Sequence, residues 1–226
     1  MDGDFLPTRT GAARELPTAR RPVLEPSLIE AVCAANAAFL DELASTAGCA
    51  GALGGLLPAP VMAMLVGLDG SERRRAAAVP FTLFSLRFAD APYWRSLIDA
   101  PPTLSRRALQ GEGVARTAIF LAWHLVQARP ATAGLAMGMS VEVSALYRAL
   151  PLSQLERLGS PCSAVLAPRW PTHGPFWARL LAAARSRAAQ ERARFFGMQL
   201  LAGECLADAP ARPVVRLSSR RPVRLS

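Results

Sequence analysis

Few side chains in this sequence have the chemistry to act on a substrate. They are His124 and His173, four cysteines (Cys33, Cys49, Cys162, Cys205), and the arginine run Arg73, Arg74 and Arg75. An imidazole works as a base beside a nucleophile or carboxylate, and binds zinc when further ligands recur at short spacing. Neither histidine stands in such a motif, and the cysteines form no C-x-x-C pair or Cys/His cluster. Gly-Leu-Ala-Met-Gly at 134–138 has small residues four apart, which reads as close packing or a turn and not as a phosphate loop. No nucleophile elbow or P-loop occurs. The expectation is a protein that is not an enzyme, with no metal, no cofactor and no small-molecule substrate. An enzyme or small-molecule binder would need a polar pocket around His124 or His173. His124 is expected as a partly buried structural residue.

The arginines point to binding. The formal net charge is +9, and every basic residue is arginine. Residues 1–25 balance Asp2, Asp4, Glu15 and Glu25 against Arg9, Arg14, Arg20 and Arg21. The last stretch carries Arg212, Arg216, Arg220, Arg221 and Arg224 with no acid. Such a tail neutralises phosphates and releases counterions, so it predicts non-specific DNA affinity. Arg73, Arg74 and Arg75 read either as a solvated helix face or as a contact for phosphate or an acidic partner. Aromatics do not interleave with the arginines, so base-specific readout is not expected.

The elements that must position these residues are helices. Alanine is abundant, aromatics are 7% of the chain, and β-branched residues rarely run together. Residues 1–25 read as a disordered arm and 207–226 as a basic disordered tail. Between them, 26–110 and 111–206 read as two helical units. In the first, Ile29, Val32, Phe39, Leu40 and Leu43 mark one helix face, with Asn36 the polar exception. Ser27 with Glu30, and Ser153 with Glu156, have capping-box spacing, and Gly159 is placed to end its helix. Further helices are expected at about 60–68, 71–78, near "YWRSLID", at 114–128 and 140–149, and as one long helix from about 175. The uncharged run 43–68 is long enough to cross a bilayer. Gly48, Gly51, Gly54, Gly55, Pro58 and Pro60 interrupt it, so a buried helix–turn–helix is expected instead of membrane insertion. The acidic start is not a secretory signal, which suits a cytoplasmic location.

The two units align at a near-constant offset. Leu68 with Leu150, Ser71 with Ser153 and Arg87 with Arg169 differ by 82, Trp94 with Trp177 by 83, and Phe39 with Phe120 by 81. The expected architecture is all-α, with two related repeats packed as an intramolecular pseudo-dimer. Tyr93, Trp94, Phe120, Trp123, Trp170, Phe176 and Trp177 are expected in its core or seam, or else as a patch for a partner.

The stretch Ala118–Trp170 resembles FlhD, the helical subunit of the flagellar master transcription regulator. The resemblance runs through Leu121–Ala122, Ala131, Ala133, Gly138, Glu142, "ALPLSQLERL" at 149–158 and Arg169–Trp170. It is looser to about residue 204, and the first half carries a degenerate copy. It implies an α-helical FlhD-like dimer fold, met here as two repeats in one chain. It also implies a regulatory role through an FlhC-like partner, with DNA as a further contact. The departures fall on polar positions: Arg129, Leu135–Ala136, and Leu166 where the family has its subunit-linking cysteine, with Cys162 four residues upstream. They favour a second reading, an adaptor or scaffold subunit of a flagellar or type III secretion system without DNA function.

Overall fold

Asn36 organises the first half. It lies on the helix α1 (Pro26–Ser45) among Val32, Ala35, Phe39, Leu40 and Leu43, all buried. A buried amide must find partners, and Asn36 finds them in the chain that crosses it. Its amide nitrogen donates to the Ala77 and Phe81 carbonyls (3.2 and 2.8 Å), and its oxygen accepts from the Leu83 N–H at 2.8 Å. The computed structural model describes residues 26–47, 53, 55–99 and 110–207, with the side chains of Arg187 and of residues 205–207 outside that description.

The described chain is mostly helical. After α1 come α2 (Ala59–Val66), α3 (Gly70–Ala77), the two-residue strand β1 (Phe84–Ser85) and α4 (Ala91–Asp99). Then follow α5 (Glu112–Ala128), α6 (Pro130–Met137), α7 (Val141–Ala149), α8 (Leu152–Ser163), β2 (Ala167–Pro168), α9 (Gly174–Ala183) and α10 (Arg187–Ala207). None of these helices is long and apolar enough to cross a membrane.

Helix α1 packs on α2, α3 and α5, and α5 packs on α6, α7 and α8. Helix α4 lies on α7 and α8, while α9 lies on α2 and α3. One continuous core results, with Phe39, Phe84, Trp94, Ile119, Tyr147 and Trp177 fully enclosed. The strands pair antiparallel, Phe84 opposite Pro168 and Ser85 opposite Ala167.

Each strand leads into a helix through the same turn. Arg87 (φ 57°) and Trp170 (φ 52°) are both left-handed, a conformation that costs a non-glycine residue about 1–2 kcal/mol. In the first turn the Arg87 carbonyl accepts from the Asp90 N–H at 2.9 Å and the Trp94 indole at 3.1 Å. In the second, the Trp170 carbonyl accepts from the His173 N–H at 3.0 Å and the Trp177 indole at 3.2 Å. The buried tryptophan seven residues on holds the strained corner closed. The two left-handed residues lie 83 positions apart, as do Trp94 and Trp177.

Several expected boundaries move. Helix α1 begins at Pro26, so Ser27 falls inside its first turn. Pro151 precedes α8 and Ser153 does not cap it; Gly159 lies inside that helix, against Arg116, and even Pro161 is helical. The long helix expected from about 175 breaks at 184–186 into α9 and α10. Among the capping predictions the working box is one not anticipated. Asp69 accepts from Ser71 and Glu72 N–H groups while the Glu72 carboxylate accepts from the Asp69 N–H. Residues 48–52 and 54, between α1 and α2, lie outside the described residues, so the helix–turn–helix expected there is described only in part.

Candidate interaction surface

The arginine run sits on α3, and the fold divides its three members. Arg73 donates to Asp41 at 2.6 Å and to the Leu68 carbonyl. The Arg75 guanidinium donates to the Ala184 carbonyl at 2.6 Å, one of the orphan acceptors at the end of α9. Arg74 is exposed and has no partner among the described residues. Two of the three predicted contacts are thus committed to internal bonds. The tail arginines Arg212, Arg216, Arg220, Arg221 and Arg224 lie outside the described residues.

Helix α10 is fastened along α3 and α9. Gln190 donates to the Arg75 carbonyl, Arg194 to the Ala78 carbonyl at 2.7 Å, and Arg185 just before α10 to Glu72 at 2.9 Å. Gly197 lies where a Cβ would enter the Phe81 ring, so the helix approaches as closely as its backbone allows. Phe196 packs on Phe176, and Phe81 meets Trp170 edge-on at 5.7 Å. At the far end Glu204 accepts from the Arg169 guanidinium and the Trp170 indole. Arg169 is only 4% exposed. Its guanidinium lies 4.8 Å from the Trp170 ring centroid and also donates to the Ala136 carbonyl at 3.1 Å. That carbonyl belongs to the last turn of α6, and Gly138 (φ 66°) caps the helix beneath the guanidinium.

The outward face of α10 is different in kind. Phe195 is 67% exposed and Met198 47%. Adjacent residues on a helix point about 100° apart, so Phe196 turning inward sends Phe195 out. Two open clefts flank Glu191. One is lined by Ser71, Arg74, Arg75, Gln190 and Arg194, the other by Arg179, Arg192, Phe195, Phe196 and Gln199. Arg179 stacks over Phe196 at 5.1 Å, and neither Arg179 nor Arg192 has an acidic partner among the described residues. The surface is basic with an apolar centre. This chemistry suits an acidic, apolar-anchored partner better than a small polar ligand.

The expected aromatic seam separates into two groups. Phe88, Tyr93, Trp94 and Tyr147 stack together on one side; Phe81, Trp170, Phe176 and Trp177 do so on the other. Trp94 and Trp177 are fully buried and Trp170 nearly so, which removes them from any exposed partner patch. Phe120 and Trp123 on α5 are half-buried, and the Trp123 indole donates to the Leu150 carbonyl at 3.1 Å.

Catalytic arrangements find little support in the geometry. His124 is exposed, not partly buried as expected, standing on α5 between the half-buried Trp123 and the buried Leu125; His173 is also exposed. Burial pushes the Cys162 thiol up to about 12, and the Tyr93 hydroxyl likewise to about 12. A thiol held protonated is the reverse of a nucleophile. The Tyr147 hydroxyl beside them is buried without a hydrogen-bond partner among the described residues. No cluster of metal-ligating side chains occurs among the described residues.

Sequence reasoning did not pick out Glu204, Arg179, Arg192, Phe195 or Met198. The adjacent pair Phe195–Phe196 was the available signal, since two neighbouring aromatics cannot share one buried helix face. Compared with known proteins, the chain matches no family model, no curated protein and no solved structure.

Proposed function

We propose that this chain is a regulatory binding protein, two FlhD-like helical units fused into an intramolecular pseudo-dimer that acts through a protein partner. The observation that carries the architectural reading is the pattern of packing. Exchanging α1 with α5, α2 with α7, α3 with α8, α4 with α9 and β1 with β2 returns the same set of neighbours. The strand pairing obeys the same exchange, as do the two tryptophan-closed corners. Helices α6 and α10 are additions to the second unit. A symmetric dimer whose subunits swap their last helices has this pattern.

The binding reading draws on the basic, apolar-centred face of α10. Arg74 and the arginine tail supply charge for duplex DNA, and sequence specificity would come from an FlhC-like partner. Salt-sensitive gel shifts that sharpen when such a partner is added are the expected result. No shift in either condition would remove the transcriptional version. The adaptor reading, with a flagellar or type III secretion component as partner, gains from one observation. Arg73 and Arg75 are bonded internally while Phe195 and Met198 face outward, which favours protein over phosphate. Affinity capture that recovers secretion components and no promoter DNA would decide for it. Light scattering provides the architectural test: a fused pseudo-dimer is a monomer in solution, and an obligate dimer through the α1–α5 face would contradict it.

A further inference from the structure

The cleft between α9 and α10 carries an exposed phenylalanine and two arginines that lack acidic partners among the described residues, which outnumber the one carboxylate in its lining, Glu191. Its chemistry asks for a short segment with a bulky apolar side chain flanked by carboxylates. The chain itself contains one, in Asp2-Gly3-Asp4-Phe5-Leu6. We infer that this amino-terminal segment docks in the α9–α10 cleft of its own chain. Phe5 and Leu6 would cover Phe195 and Met198, and Asp2 and Asp4 would face Arg179 and Arg192.

Three observations favour this occupant. The first is charge: the carboxyl-terminal tail, with five arginines against the single acid Asp208, would be repelled by Arg179 and Arg192. The second is composition, since Phe5 is the one aromatic residue in positions 1–25. The third is reach. Cys33, in the second turn of α1, lies near enough to Arg194 of α10 to feel its charge, and its thiol donates to the Val79 carbonyl, next to the Ala78 carbonyl that holds Arg194. A chain of roughly 20 residues has a root-mean-square span of about 25 Å, against a helix diameter of about 10–12 Å. Tethering would hold the segment at an effective concentration on the order of mM, enough for a weak contact to persist. The segment would then shield the face that the partner needs. The inference rests on the cleft's own side chains, not on the FlhD-like reading.

The test uses the full chain with carbon-13 methyl-labelled methionine, the Met198 signal being assigned with Met198→Leu. Comparison is with the triple variant Asp2→Asn, Asp4→Asn, Phe5→Ser. The Met198 methyl is expected to move while the buried Met62 and Met137 methyls stay, which also shows the fold intact. A fluorescent peptide of residues 1–8, added in trans, should bind the triple variant about tenfold more tightly than the unaltered chain, because the resident segment no longer competes. Adding Phe195→Ser and Arg192→Glu, both exposed, should abolish that binding. An identical Met198 signal in the two proteins would overturn the inference. So would a signal that shifts with protein concentration, since that assigns the face to a second copy, or peptide binding indifferent to Phe195→Ser and Arg192→Glu.

Discussion

Replacing Asn36 by alanine isolates the contact that ties α1 to the crossing chain. The substitution removes three hydrogen bonds, but the losses are unequal. The Ala77 carbonyl keeps a second donor, the Val79 N–H at 2.8 Å, whereas the Phe81 carbonyl and the Leu83 N–H lose their partner in a fully buried site. Each orphaned buried group costs about 1–3 kcal/mol, so the variant should lose about 3–5 kcal/mol. Urea unfolding followed by tryptophan fluorescence reads the loss as a lower midpoint at unchanged slope. Asn36→Asp sharpens the test. At neutral pH its carboxylate can still accept from Leu83 but repels the Phe81 and Ala77 carbonyls. Protonation restores a donor. Burial raises the folded carboxyl above its unfolded value, so the proton-bound form is favoured by folding. The aspartate variant should therefore recover stability as pH falls and lose it as pH rises through the folded value. A loss below about 1 kcal/mol for the alanine variant, or no acid recovery for aspartate, would refute the clamp.

Other expectations test the remaining joints. Gly138→Ala should cost about 1–3 kcal/mol, because φ is 66° and the new Cβ would meet the Arg169 guanidinium at 2.5 Å; a thermal melt reads it. Glu204→Ala removes the carboxylate that Arg169 and Trp170 share, and should cost about 2 kcal/mol, below the full buried-pair value because Glu204 is 35% exposed. Faster amide exchange along α10, with α5 unchanged, would confirm that the loss is local. Alkaline titration should weaken the fold. Cys162 and Tyr93 both have folded values raised to about 12 from ordinary values of 9.0 and 10.0, so the unfolded chain releases its protons first. Stability is full below pH 9 and falls between about 9 and 12; Cys162→Ala should flatten the onset.

The helical class and the apolar face of α1 were legible because they depend on local periodicity. Val32, Phe39, Leu40 and Leu43 fall at helical spacing and are buried as that spacing demands. Capping was less legible. Ser27 and Ser153 have the right spacing, but proline fixes the helix start one or two positions earlier in each case. The interaction surface was hardest to read, because it depends on which arginines the tertiary structure occupies. Nothing local separates Arg74 from Arg73 and Arg75; their partners Asp41 and Ala184 are 32 and 109 residues away. The role of Asn36 likewise depends on carbonyls more than forty residues downstream.

The packing of α9 on α2 and α3 has a consequence for synthesis on the ribosome. Helices α2 and α3 are made early, but their cover, α9, begins at Gly174, nearly a hundred residues later. At about 5–20 residues per second that interval lasts about 5–20 s, far longer than a helix takes to form. Until then the faces of α2 and α3 that meet α9 lack that cover. The nascent chain is thus a natural client for a holding chaperone, and a slow codon stretch before Gly174 would lengthen its exposure to aggregation.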